Sequence, residues 1–251
     1  VKPTQTPGIR GRALVLQHHP DEHPGSLGPL LEHAGLIVST VELDAGEPIP
    51  ALDPFDMLLV MGGPQQVWEE DEHPWLVDEK AVIRNWVGEL RRPFLGVCLG
   101  HQLLADAMGG RVDRMETPEI GMSDVRQKPE GKGDSLFGGL PSIFPALQWH
   151  EAEVVEPPRG ATVLAENPSS AIQALRVDEC ALGLQFHVEV GPDTIPKWAA
   201  VPEYERTLAA HFGTADALER AVKTRLGEMS AVALGLVNAL LEKVFDARVA
   251  P

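Results

Sequence analysis

Cysteine is scarce: Cys98 and Cys180 are the only two thiols in 251 residues, and no Cys-x-x-Cys pair occurs. Two thiols cannot build a disulfide framework, and without paired ligands a structural zinc site is not expected; a reducing compartment fits best. Positive charge is short as well, with 21 Lys and Arg against 37 Asp and Glu and a net charge of −16. That balance repels nucleic acid and anionic membrane surfaces unless a local basic patch compensates. The densest basic cluster is Arg91-Arg92, which reads as a solvated helix end. No apolar run reaches transmembrane length, and residues 1–12 lack the apolar centre of a secretion signal. The expectation is therefore a cytoplasmic protein with neither a nucleic-acid nor a membrane partner. Also missing are a P-loop for nucleotide phosphates, any internal repeat and any low-complexity tract.

What is present is an alternation of short apolar runs with helical patterns. Strand-like runs occur at residues 13–16, 37–41, 57–60 and 94–97. Residues 25–33 read as a first crossover helix. Residues 74–90 read as a longer amphipathic one carrying Leu76, Val77, Ile83, Trp86 and Val87. Short, continuously apolar strands alternating with helices imply an α/β fold, a mostly parallel central sheet flanked by helices. Sites in such sheets form beyond the carboxyl ends of the strands, where Gly62-Gly63-Pro64 and Cys98 both fall. After about residue 110 the segments shorten. Residues 123–127, 161–165, 171–177 and 182–186 read as strands of an antiparallel addition that returns His187 to the site. Residues 214–248 read as helix, with Leu218, Val222, Leu226, Met229, Leu236, Leu240 and Val244 in one stripe. The stripe reads as packing on the parent domain, with a homodimer interface as the alternative. Residues 1–11 have the composition of a flexible lead-in, residues 12–192 form the domain, and residues 193–251 form a C-terminal helical extension packed on it.

The most informative stretch is Phe94-Leu95-Gly96-Val97-Cys98-Leu99-Gly100-His101-Gln102, followed far downstream by Phe186-His187-Val188-Glu189. A strand entering a helix through Gly-x-Cys-x-Gly holds its central residue in a strained conformation, and the flanking glycines let strand, helix and substrate approach. The thiolate is the nucleophile, and a nearby imidazole with the positive end of the following helix would favour it. A lone buried cysteine is otherwise a small apolar residue, and His187 with Glu189 alone would be an ordinary strand pair. Together they favour a nucleophile with its base. A zinc reading of Cys98, His187 and Glu189 lacks a fourth ligand and has no use for the elbow. Cys180 reads as apolar packing, and His18, His19 and His23 as a polar loop that lines the substrate mouth rather than a metal site. The run Glu69-Glu70-Asp71-Glu72 reads as a solvated helix start.

These motifs resemble the class I, or triad-type, glutamine amidotransferase domain, which has a flavodoxin-like fold. Gly62-Gly63-Pro64 looks like the family's oxyanion loop, the stretch from Gly96 to Gln102 resembles its nucleophile elbow, and Phe186-His187-Val188-Glu189 resembles the His-x-Glu end of its triad. Trp68, Pro74-Trp75-Leu76, Glu119-Ile120-Gly121 and Trp149-His150-Glu151 look like the stand-alone, GMP-synthase-like subset, so the resemblance covers roughly residues 12–190. It departs at Val188, often proline in the family, and at Ala152, where the family often has Asp. The resemblance implies that Cys98, His187 and Glu189 form a triad hydrolysing the side-chain amide of L-glutamine through a thioester. Backbone N–H groups of Leu99 and of Gly62 or Gly63 would hold the oxyanion, and Gln102, Trp149 and His150 would contact substrate. It implies no cofactor and no metal, and a separate synthetase partner to receive ammonia. Two alternatives stay open: a hydrolase of γ-glutamyl conjugates, and a catalytically quiet glutamine-binding or regulatory subunit.

Overall fold

The computed structural model describes residues 9–247. Residues 1–8 of the expected lead-in, and residues 248–251, lie outside the described residues. In chain order the parallel strands are β1 (Gly11–Gln17), β2 (Leu36–Glu42), β3 (Met57–Val60) and β4 (Phe94–Val97), followed by β5 (Arg111–Gln127), β6 (Ile143–Glu156), β7 (Thr162–Glu166), β8 (Ala174–Val177) and β9 (Ala181–Leu184). The helices are α1 (Leu27–His33), α2 (Trp75–Arg84), α3 (Leu99–Ala107), α4 (Pro129–Lys132), α5 (Thr194–Trp198), α6 (Pro202–His211) and α7 (Ala215–Ala247).

All nine described strands form one sheet in the order β2-β1-β3-β4-β9-β8-β7-β5-β6. The first five run parallel, and β8, β7, β5 and β6 are joined by antiparallel pairings. The antiparallel addition thus begins one strand later than expected, because β9 pairs parallel with β4. It is also larger. The strand expected over 123–127 is the end of the 17-residue β5, and its 14-residue partner β6 is not among the expected strands. β5 carries Pro118, Gly121 and many charged residues and breaks register between Arg114 and Glu119, which erases an alternating signal.

Period-two alternation sorts the parallel strands into two cores. Ala13, Val15, Met57, Leu59, Leu95 and Val97 face one side with α1 and α7, while Leu14, Leu16, Leu58, Val60 and Phe94 face the other with α2 and α3. Of the α7 stripe, Leu218, Val222, Met229, Leu236, Leu240 and Val244 are buried in the first core and Leu226 packs at its edge. The stripe is occupied within the chain, which removes it as a dimer surface. Each such side chain contributes roughly 1.5–3 kcal/mol through burial. α2 ends in a π turn, Asn85–Glu89, closed by Leu90 N–H donating to Asn85 O at 2.9 Å. Beyond it Arg92 is not simply solvated: its guanidinium donates to Leu52 O and Phe55 O and lies over Trp86. Among the described residues no helix is long and apolar enough to cross a membrane.

Candidate active site

The order β2-β1-β3-β4 reverses direction at β1, and the loops after β1, β3 and β4 meet at that switch point. Cys98 links β4 to α3 with φ +51° and ψ −104°, a region that costs a non-glycine residue strain. Backbone bonds hold it there. Cys98 N–H donates to Leu184 O at 2.8 Å, Gly100 N–H to Met61 O at 3.1 Å, and Cys98 O accepts from His101 and Gln102 N–H. The flanking glycines are sterically required, since a Cβ on Gly96 would overlap Gly100 O and one on Gly100 would overlap Val60 O.

After β9 the chain continues through Gln185 and Phe186 to His187, whose backbone exchanges two hydrogen bonds with Leu147 of β6. His187 Nδ1 is 2.6 Å from Glu189 Oε1, and Glu189 Oε2 accepts the Val188 N–H at 2.9 Å. Burial opposes a charge on His187, but the Glu189 carboxylate and the neighbouring Cys98 overcome it and hold the imidazole well above its ordinary value. The Cys98 thiol is nearly buried; it accepts from Gln185 Nε2 at 3.7 Å and faces Trp149 O at 3.8 Å. Gln185 was missed in the sequence. Lying two residues before His187, it carried the same alternation signal that links His187 to Glu189.

A cavity of about 320 Å3 opens over Cys98, bounded by Gly63, Leu99, Gln102, Trp149, His150 and Tyr204. The sequence-selected residues therefore converge here, with Gly62, His187 and Glu189 immediately behind. Gly62 has no room for a side chain, since a Cβ would lie 2.6 Å from Glu22 Oε2 and 3.3 Å from His187 Cε1. Among the described residues the N–H groups of Gly63 and Leu99 have no hydrogen-bond partner. Gln102 commits its amide N–H groups to Ala152 O at 3.0 Å and Gln185 Oε1 at 3.1 Å, so it braces the wall. Both His150 nitrogens are engaged, Nδ1 with Ala152 O and Nε2 with Glu119. Trp149 Nε1 is buried without a partner.

The histidine loop differs from its expectation. His18 is fully buried, 3.0 Å from Gly62 O through Nδ1 and 2.9 Å from Glu79 Oε1 through Nε2, and neither His19 nor His23 bounds the cavity. Glu22, from the same loop, is the larger surprise: it is buried, accepts from Tyr204 Oη at 2.6 Å, and is pushed up by burial against the opposing pull of His187. Tyr204 and Trp198, whose ring meets His187 edge-on at 4.7 Å, come from α6 and α5. No motif marked these three residues, because their partners are remote in sequence. Among the described residues no group of His, Cys, Asp and Glu could hold a metal ion.

A family model described as "Glutamine amidotransferase class-I" matches residues 26–197. The chain is 34% identical over 161 residues to one subunit of the glutamine-hydrolyzing GMP synthase of Sulfolobus acidocaldarius, covering 64% of this chain and 80% of that one. It is also 34% identical over 203 residues to the glutamine-hydrolyzing GMP synthase of Aeropyrum pernix, 78% of this chain but only 37% of that longer protein. Among solved structures, a glutamine amidotransferase from Thermotoga maritima superposes with TM-score 0.81 at 28% identity, covering 94% of this chain and 98% of the other. One from Methylobacillus flagellatus has the same TM-score at 25% identity, covering 93% and 95%.

Proposed function

We propose a reaction from one premise: the chain belongs to the class-I glutamine amidotransferase family. It hydrolyses the side-chain amide of L-glutamine to glutamate and ammonia, with Cys98 as nucleophile. The observation that carries this reading is the convergence, on one cavity, of a thiol at a strained elbow, the His187–Glu189 pair and two unpartnered backbone N–H groups.

Glu189 occupies His187 Nδ1, leaving Nε2 to hold the proton that Cys98 gives up, and the thiolate sulfur bonds to the amide carbon. The carbonyl oxygen becomes an oxyanion, which the N–H groups of Gly63 and Leu99 stabilise; one such donor is worth about 2.7–4 kcal/mol of barrier. The C–N bond then breaks, the amine departs as ammonia with the proton from His187, and a thioester remains. Water gives a proton to His187 and its oxygen to the acyl carbon, the C–S bond breaks, and the thiol recovers its proton. Glutamate leaves. The Gln185 amide N–H steadies sulfur as negative charge grows. The cavity rim carries both signs, Arg114 and Arg206 with Glu69, Glu151 and Glu203, which suits the zwitterionic end of a free amino acid.

The relatives named as a subunit of GMP synthase support a separate synthetase as the ammonia acceptor, and of the longer Aeropyrum GMP synthase this chain spans 37%. The test is glutamate release from L-glutamine and from γ-glutamyl conjugates, by the chain and by Cys98→Ala, with mass spectrometry for an acyl adduct. Turnover of glutamine should fall at least ~10⁴-fold in the variant. Unchanged turnover would sink the nucleophile assignment, and preference for a conjugate would move the substrate.

A further inference from the structure

His18 sits where no part of the reaction above requires a histidine, fully buried and stacked on the Trp75 ring at 5.2 Å. Its two nitrogens face Gly62 O at 3.0 Å, which can only accept, and Glu79 Oε1 and Oε2 at 2.9 and 3.1 Å, which only accept while the carboxylate is ionised. Beside an ionised Glu79, a neutral imidazole, with one N–H, would set a lone pair against one of those oxygens, and only the doubly protonated ring satisfies both. Glu79 is itself fully buried, and a buried carboxylate persists where a cation pairs with it. The position of the anchored oxygen gives the pair its consequence. Gly62 O belongs to the peptide that also carries the Gly63 N–H, and in a trans peptide the two point in opposite directions. Holding the carbonyl from the His18 side aims the N–H away from it, and Gly63 borders the cavity over Cys98.

We propose that His18, as an imidazolium held by Glu79, is a positioning residue that pins the Gly62–Gly63 peptide so that its N–H meets the oxyanion. This deepens the hydrolytic reading above and rests on it. The residues are independent of the triad, and His18 precedes the segment matched by the family model. The titratable groups facing His18 are Glu79 from α2 and Glu22 from its own loop. Burial works against the charge, yet both carboxylates and the hydrogen bonds keep His18 above its ordinary value. When the ring does lose a proton at higher pH, Glu79 retains the Nε2 proton, and Nδ1 turns a lone pair on Gly62 O. The peptide is then released.

Two variants of the full chain test this. Glu79→Gln lets a neutral His18 keep its N–H on Gly62 O while its other nitrogen accepts from the new amide. It should retain kcat within about threefold and lose the alkaline fall that His18 imposes. The double change His18→Phe with Glu79→Met removes the whole pair and keeps the ring over Trp75. It should lower kcat roughly 100-fold with little change in KM, the scale of a misaimed oxyanion donor. Alkylation of Cys98 by iodoacetamide forms no oxyanion, so its rate should stay within about threefold and reports a folded, reactive site. A double variant that alkylates normally and keeps the parent kcat overturns the proposal. So does 15N NMR of the parent chain at pH 7 finding His18 with one protonated nitrogen, a readout that decides even if the double variant fails to fold. A parent chain that does not hydrolyse glutamine instead defeats the reading on which the proposal rests, while the NMR result still decides the imidazolium.

Discussion

Cys98 stands between two walls that are built differently. One is the elbow of β4 and α3 with the loops after β1 and β3, where backbone bonds and glycines fix each position and a single Cβ would force strands apart. The other is a cap of side chains, Trp198, Tyr204 and Thr207 from α5 and α6, in contact with Trp149, Glu22 and Glu151. The first wall fixes the position of the thiol and tolerates almost no change in shape. The second closes the pocket through contacts between segments remote in sequence, and its parts can be altered by degrees.

The largest effect should come from the scaffold beneath the cap. α7 packs against α5 and buries Leu236, so Leu236→Ala should cost about 2–5 kcal/mol of stability in urea unfolding, as buried leucines do, with kcat nearly unchanged at low temperature. A matching loss of kcat would mean that α7 shapes the site directly. Gly100→Ala probes the other wall. Its Cβ would overlap Val60 O, and the forced separation should cost about 1–3 kcal/mol and lower kcat as well, since the elbow itself moves. A stable Gly100→Ala protein with full activity would show that backbone closeness is not what holds the thiol.

The two walls also differ in how readable they were. The elbow, the Gly62-Gly63 loop and His187-Val188-Glu189 are local patterns, with their meaning contained in a few adjacent residues. β3 and β4 could be drawn at their observed ends, because strands buried on both faces are continuously apolar. β6 was missed although Trp149 and His150 lie on it, and β5 was seen only at its far end, because a charged hairpin with a register break shows no clean period. Glu22 looked like one more acidic residue in a polar loop; its meaning comes from Tyr204, 182 positions away. In the sequence His18 looks like part of the mouth for the same reason, since Glu79 and Gly62 define it only in three dimensions.

Acid and alkali should separate the walls further. His101, on α3, is buried against Gly183, and its ring nitrogens have no well-formed hydrogen bond among the described residues; burial lowers it to about 3. Below its ordinary value of 6.5 the unfolded chain takes up a proton that the folded chain refuses. Stability should therefore fall as pH drops from 6.5 toward 3, by up to about 1.4 kcal/mol per pH unit from this group, and His101→Asn should flatten that slope. Denaturation midpoints across this range check it, and an equal slope in the variant would remove His101 as its source.

Glu22, behind the cap, should behave in the opposite sense. Burial raises it above 4.5, so the folded chain holds a proton that the unfolded chain releases, and the associated stability is present in acid and lost as pH rises through the raised value. The Tyr204 hydroxyl counters this by donating to the carboxylate at 2.6 Å. Tyr204→Phe removes that support while keeping the ring against Trp149 and Trp198. The penalty should be on the order of 1 kcal/mol at a pH above the raised value, where the carboxylate ionises, and should shrink toward pH 4, where a protonated Glu22 needs the hydroxyl less. Chemical denaturation of both proteins at the two pH values measures it. A penalty that is the same at both would mean that Tyr204 serves the cap by packing alone, and the two walls would then differ in how their shape is held but not in how they answer to charge.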